Sequence, residues 1–386
     1  METRAAFVFA LLLLAVLPAL AKDEAKNEPR KPSASEKRKL DKQRKDSLKE
    51  REQRAKKNKK ENEALGKKVE GVMDAWKAKG FDGAVLVARD GDAIFKRGYG
   101  MADREAKRAN APDTLYDIGS VTKLFTAAGV LRLEQDGKLK LTDTLEKFFP
   151  GAPPDKKPIT LTQLLSHSSG VSRMYEDEHI DSFSRDNTVK GLLSIPLSSK
   201  PGTQFEYSNS NYYLAGAVIE VVTGGKYEDY MMKHVIEASG MKDSAFCSND
   251  KLDDKRTAMR YEDGKLRGDV TNWPFTWGQR GCGYLVSTVE DMQRFSDAID
   301  YGDFLDEEAR QKWFSVEKET YALGWFCEER DKRKVQYHGG ASPGAWAYFA
   351  RYPDDDVMFV FFLNVSETGK RIDLDVARDL ENAIFG

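Results

Sequence analysis

Ser120, Val121, Thr122 and Lys123 set a hydroxyl and an amine three positions apart, and on a helix that spacing puts both on one face, a turn from each other. A serine hydroxyl is a weak nucleophile until a neighbouring base takes its proton, and a lysine at this spacing lies within reach of that proton. A Ser-x-x-Lys at a helix start is therefore a candidate centre for acyl transfer. Gly119 precedes it, and Leu124, Ala127, Ala128 and Leu131 follow at helical spacing as a core-facing stripe. Alone, the motif is better read as a helix N-cap followed by a solvated lysine.

Two further segments supply what such a pair would need. Tyr207-Ser208-Asn209 offers a phenol that could shuttle protons beside a lysine and an amide that could orient Lys123 or a substrate carbonyl. His338-Gly339-Gly340 reads as a glycine-rich strand edge, where a substrate can lie against the backbone and N–H groups can stabilise an oxyanion. Each has a plainer reading too. Tyr-Ser-Asn suits a turn, and His-Gly-Gly suits a bend in a strand with a satisfied histidine. The three together, in this order, form a constellation that points to a serine acyl-transfer site.

Ser120-Val-Thr-Lys123, Tyr207-Ser-Asn209 and His338-Gly-Gly340 resemble the three signatures of the serine β-lactamase and penicillin-recognising enzyme superfamily. The likeness is nearest to the class C β-lactamase branch with its related esterases and D-amino-acid peptidases. Ile159–Gly170, Tyr212–Gly216, Gly283–Thr288 and Leu323-Gly-Trp325 resemble family landmarks as well, and the likeness covers roughly residues 65 to 386. The resemblance implies that Ser120 is acylated, that Lys123 activates it or tunes Tyr207, and that Tyr207 is the general base. It further implies that Asn209 binds the substrate amide, that His338 stands where relatives often carry lysine, and that Ala341 gives a backbone N–H to an oxyanion hole beside that of Ser120. Gly339 and Ala341 lack the hydroxyls that hold the drug carboxylate in potent β-lactamases, which shifts the expectation from lactam hydrolysis toward an esterase or peptidase. The expected function is thus an exported serine hydrolase acting on the ester, amide or β-lactam bond of a small-molecule or peptide acyl substrate. The alternative is a catalytically silent scaffold that binds cell-envelope material, since fold alone does not deliver activity.

No paired Cys-x-x-Cys, His-Glu-x-x-His or acidic metal loop occurs, so neither a metal nor a cofactor is expected. His167 reads as a structural hydrogen-bonding residue at a helix end, and His179 and His234 have no recognisable partner. Three cysteines, Cys247, Cys282 and Cys327, allow at most one disulfide. Cys282 falls where the family has a small-residue turn lining the cleft, and reads first as a small packing residue.

The chain of 386 residues carries 61 Lys and Arg against 63 Asp and Glu, yet residues 22–68 hold 19 basic and 10 acidic side chains. A basic arm therefore precedes an acidic domain. Met1–Arg4 leads an apolar run to Ala21, with Ala19 and Ala21 fitting the small-residue cleavage rule. This reads as a signal peptide cut after Ala21, leaving a secreted or periplasmic product; an uncleaved membrane anchor is the alternative. Residues 22–64 are too poor in large apolar groups to fold alone and are expected to be a disordered or transiently helical tether. Its plain role is a solubilising spacer. Residues 22–62 could instead adhere to an anionic envelope surface. Nucleic acid is not an expected partner, because aromatic residues are absent from the arm.

These groups need a scaffold. Leu65–Lys79 has helical spacing, and two apolar runs around Arg89-Asp-Gly91 predict a hairpin. A mostly helical lobe at about 141–275 follows the Ser120 helix. After a helix over Ser287–Ile299, strands are expected at Tyr321–Cys327, Lys334–His338, Ala345–Arg351 and Val357–Asn364, then a closing helix at Leu374–Phe385. The predicted fold is α+β: an antiparallel sheet flanked by N- and C-terminal helices, with a helical insertion and the cleft between lobes. Loops at Ser172–Tyr175 and Thr271–Trp277 are expected to set specificity, their aromatics Trp273, Phe275 and Trp277 serving as apolar walls or as packing between lobes.

Overall fold

Strand β1 (Gly83–Arg89) is buried on both faces, which marks it as central. It turns tightly into β2 (Asp92–Tyr99). Asp90 and Gly91 both have positive φ, 54° and 87°, the backbone that a two-residue hairpin loop demands. Four strands from the C-terminal third complete the sheet: β3 (Phe326–Arg330), β4 (Arg333–Ser342), β5 (Ala345–Tyr352) and β6 (Val357–Leu363). The order is β3-β4-β5-β6-β1-β2, antiparallel throughout, with Val85 opposite Phe361 and Gly340 opposite Ala347. This computed structural model describes residues 34–173, 184–248, 252, 254–272 and 276–386. The apolar leader expected at 1–21, the start of the charged arm, and Met174, Tyr175, His179, Trp273 and Phe275 lie outside them.

Two cores sandwich the sheet. On one face, Val69, Met73 and Trp76 of helix α1 (Ala34–Ala78) and Val376 and Leu380 of the C-terminal helix (Ile372–Phe385) pack on Val85, Phe359 and Phe361. On the other, Leu86, Val360 and Phe362 meet helix α2 (Thr122–Gln135), and Phe295 of the helix Val289–Tyr301 joins the same core. Helix α2 is buried on nearly every side and packs on helix α3 (Asn209–Thr223) of the inserted lobe. An all-round apolar helix of this kind belongs at the centre of a domain.

The fold class is as the sequence predicts, and three details differ. The arm expected to be loose is helical from Ala34 onward. Its Lys, Arg, Glu, Gln and Ala residues favour helix, and paired charges supply the docking that apolar burial cannot. Arg51 meets Asp297 at 2.7 Å and Asp356 at 2.8 Å, Arg54 meets Asp356 at 2.7 Å, and Asn58 donates to Asp90 at 2.8 Å. Burial opposes ionisation of Asp356, yet hydrogen bonds and charge from Arg51 and Arg54 outweigh it and hold its carboxyl below the usual range. Second, the strand expected at Tyr321–Cys327 begins only at Phe326, because Gly324 turns there with φ 88° and lies against the backbone of Lys123. Third, the mostly helical inserted lobe also holds short strands that were not foreseen, Arg260–Glu262 and Lys265–Gly268, the first pairing in parallel with Val365–Ser366. None of the three cysteines forms a disulfide. Among the described residues no helix is long and apolar enough to cross a membrane.

Candidate active site

Ser120 sits in a one-turn 3-10 segment, Gly119–Val121, that leads directly into α2. Gly119 has φ 50°, and a Cβ there would lie 2.9 Å from the backbone nitrogen of Ala341. Glycine is thus required by both the turn and the close approach. One turn on, Lys123 is fully buried. Its Nζ lies 2.9 Å from Ser120 Oγ and donates to Asn209 Oδ1 at 2.6 Å. It also stands 4.9 Å from the centre of the Tyr207 ring and 5.6 Å from that of Tyr212. Two aromatic faces and two oxygens compensate an amine that burial would otherwise penalise.

Asn209 opens α3, preceded by extended Ser208, so the chain must turn at Tyr207-Ser208-Asn209 to present the phenol and the amide to one amine. His167 fixes that turn. Its Nδ1 accepts the Ser208 N–H at 3.2 Å and the Asn211 side-chain amide at 3.1 Å, and its ring lies 4.4 Å from that of Tyr207. Burial first, then the nearby Lys123 charge, hold His167 well below its ordinary pKa, so it is neutral. The structure gives His167 this hydrogen-bonding position at the end of the helix Leu161–Leu165, with φ 55°.

Strand β4 brings the third segment alongside. It pairs with β3 only as far as Tyr337, so on that side residues 338–342 form a strand edge that β3 leaves uncovered, and this stretch packs against the 3-10 turn of Ser120. Gly340 owes its missing side chain to this packing: a Cβ would stand 2.1 Å from the Ile118 carbonyl oxygen. At Gly339 a Cβ would meet only ordinary contacts, and Ala341 is exposed. His338, expected to bind substrate, is buried here. Its ring is 2% exposed, its Nδ1 bonds the Gly339 carbonyl at 2.6 Å, and its Nε2 accepts from Tyr321 Oη at 3.1 Å. Burial and then Lys123 push its pKa down to about 3, so no cation stands at this position.

Tyr321 and Asp117 at the site carry no motif, and Tyr212, though it opens the Tyr212–Gly216 landmark, was not read as a site residue. Tyr212 lies one turn beyond Asn209 on α3, a spacing that would have revealed it. Tyr321 backs the rings of Tyr207 and His167. Asp117, two residues before Gly119, accepts the Gly119 N–H at 2.9 Å, the local carboxylate-to-backbone bond that aspartate favours. Of the loop aromatics, Trp277 is buried and donates to Glu220 at 3.2 Å, which makes it packing rather than a cleft wall. Cys282 is buried in the core as a small residue. Among the described residues no cluster of His, Cys, Asp and Glu could hold a metal ion.

The sequence pattern of the family described as Beta-lactamase matches residues 67–383. The chain belongs to the beta-lactamase family. Penicillin-binding protein 4* of Bacillus subtilis is 26% identical over 332 residues, 79% of this chain and 73% of that protein. The octameric penicillin-binding protein homologue from Pyrococcus abyssi superposes with a TM-score of 0.73 at 26% identity, over 82% of this chain and 77% of that one. The D-amino acid amidase from Ochrobactrum anthropi SV3, complexed with L-phenylalanine amide, shares the fold with a TM-score of 0.72 at 23% identity, over 83% and 98% of the two chains. Against two other curated relatives the chain spans 62% and 59% of their lengths. All three motif segments of this beta-lactamase family member fall inside the matched span.

Proposed function

We propose that the protein is a serine hydrolase that cleaves ester or amide bonds through an acyl-enzyme on Ser120. The observation that carries this reading is the placement of Lys123 Nζ between Ser120 Oγ at 2.9 Å and Asn209 Oδ1 at 2.6 Å. With Lys123 reacting as the neutral amine, the Oγ proton passes to Lys123 Nζ as Oγ attacks the acyl carbon, the Oγ–C bond forms, and the carbonyl pair moves to an oxyanion facing the N–H groups of Ser120 and Ala341. Collapse of that oxyanion breaks the bond to the leaving group, which takes a proton from Tyr207. Tyr207 recovers it from Lys123. Water then attacks the acyl carbon, losing its proton to the same pair; the acyl C–Oγ bond breaks, Ser120 Oγ takes that proton back, and the carboxylic acid leaves.

Lys123 rather than Tyr207 takes the first proton in this scheme, since its nitrogen is the one in hydrogen-bond contact with Oγ. A neutral, buried His338 and the hydroxyl-free Gly339 and Ala341 favour neutral esters and amides over β-lactams that carry a carboxylate. The amidase and penicillin-binding relatives agree with acyl chemistry of this kind. Export through the apolar leader belongs to the same proposal, as does a hydrolase domain beginning near residue 65.

The test is incubation with a fluorophosphonate and with a labelled penicillin, followed by peptide mass spectrometry. An adduct on Ser120, absent from Ser120→Ala, is expected, with short acyl esters and amides turned over faster than a cephalosporin. A folded protein that forms no Ser120 adduct and turns over none of these substrates would overturn the proposal in favour of a silent binding protein.

A further inference from the structure

The two N–H groups that would hold an oxyanion come from segments more than two hundred residues apart, and one carboxylate touches both segments. Asp117 Oδ1 accepts the Gly119 N–H at 2.9 Å, and its Oδ2 accepts the hydroxyl of Ser342 at 2.6 Å. Gly119 adjoins Ser120; Ser342 adjoins Ala341. Elsewhere the seam closes on bare backbone, as the approaches at Gly119 and Gly340 show. Side chains there cannot adjust the gap, and Asp117 spans it.

The carboxylate is itself braced. Arg260 Nη1 lies 3.8 Å from Asp117 Oδ2, with side-chain exposures of 5% and 6%. Arg260 is pinned in turn, donating from Nε to the Gly268 carbonyl and from Nη2 to the Asp269 carbonyl, both at 3.3 Å. The turn between β4 and β5 rests on it: a Cβ at Gly344 would stand 2.9 Å from Arg260 Cβ. A buried ion pair adds little net stability against an apolar replacement, so stability is a poor reason for this arrangement. Geometry is a better one. Oxyanion donors act within about 2.7–3.1 Å of the charge they stabilise, and a misplacement of about 1 Å can cost roughly 100-fold in rate.

We propose that Asp117, braced by Arg260 and joined to Ser342, is a positioning residue that sets the distance between the Ser120 and Ala341 N–H groups and thereby the rate of acylation. It touches no substrate. The inference rests on the reading of Ser120 as the acylated residue.

Ser342→Ala removes one strut without burying a new charge. Expected are a fall in kcat of about 10-fold with KM within about 2-fold of the parent, an unshifted melting temperature, and slower fluorophosphonate labelling. Backbone amide exchange at Gly119 and Ala341 should quicken. Ser342→Thr, which keeps the hydroxyl, should restore both rate and protection, and Asp117→Asn should lose about 100-fold in kcat. Unchanged kcat in Ser342→Ala, or a loss that tracks unfolding or KM instead, overturns the proposal. If the parent enzyme forms no Ser120 adduct, the acyl-enzyme reading fails. The clamp is then judged by amide exchange in Ser342→Ala, where unchanged protection at both positions refutes it.

Discussion

Lys123 is held at the site by two oxygens and two aromatic rings. Lys123→Met keeps the apolar stem and removes the nitrogen, so the fold should persist while kcat/KM falls by about 100- to 10,000-fold; steady-state kinetics beside a melting curve would show whether activity and stability separate. The two neutral histidines behind Tyr207 make a different prediction. Burial lowers both His167 and His338, whereas in the unfolded chain each titrates near 6.5. The unfolded state therefore binds more protons as pH drops. Their contribution is fully present above about pH 6.5 and is lost progressively as pH falls below it, for His338 down to about pH 3, with a slope of up to about 1.4 kcal/mol per pH unit for each histidine. Urea denaturation between pH 7 and 4.5 measures it, and a flat profile there would count against neutral histidines in the folded state. Ser120, Lys123, Tyr207 and Asn209 were legible in the sequence because helix spacing and short motifs carry them. Asp117 was not, since one of its partners, Ser342, lies 225 residues away and nothing local marks the pairing.

Among the elements, α1 departs furthest from expectation. Its charge-rich first half reads as unable to fold because no local signal shows the acidic surface waiting for it. Arg51 lies over the hairpin turn, where a Cβ on Gly91 would stand 2.9 Å from its Nη1, and its partner Asp356 is 305 residues distant. Arg51→Ala should destabilise the protein by about 1–3 kcal/mol, because it removes a largely buried guanidinium from Asp297 and leaves Asp356 with Arg54. Arg54, whose side chain is 44% exposed, should matter less, at about 1 kcal/mol or below. Denaturant midpoints of the two variants, compared directly, test that ranking. The apolar half of the same helix was legible as Val69, Val72, Met73 and Trp76 at helical spacing, since burial leaves a periodic trace and charge pairing with a remote surface does not.

Across the whole molecule, alternation and turn residues predicted the hairpin, the consecutive C-terminal strands and the terminal helix. The strands at 260–262 and 265–268 escaped notice because three or four residues are too few to show a period. What those readings could not supply is how closely the sheet edge approaches the nucleophile turn, an approach that two glycines leave room for. Gly340→Ala should be costly on both counts, with about 1–3 kcal/mol of overpacking and a loss of about 100-fold or more in Ser120 labelling as the seam opens. Gly339→Ala, where space is ordinary, should keep the stability of the parent, so the pair of variants measures the seam alone.

The fastening of α1 changes character along its length, from ion pairs near Arg51 to apolar contact near Met73. Raising ionic strength shortens the reach of charge from about 10 Å at 0.1 M to about 3 Å at 1 M but does not weaken hydrophobic contact. The exposed outer turns, such as that of Arg44 beside Asp303, should therefore peel first in brine, while the buried Arg51 clasp and the apolar inner turns stay seated, a graded release that a uniformly bonded strap would not show.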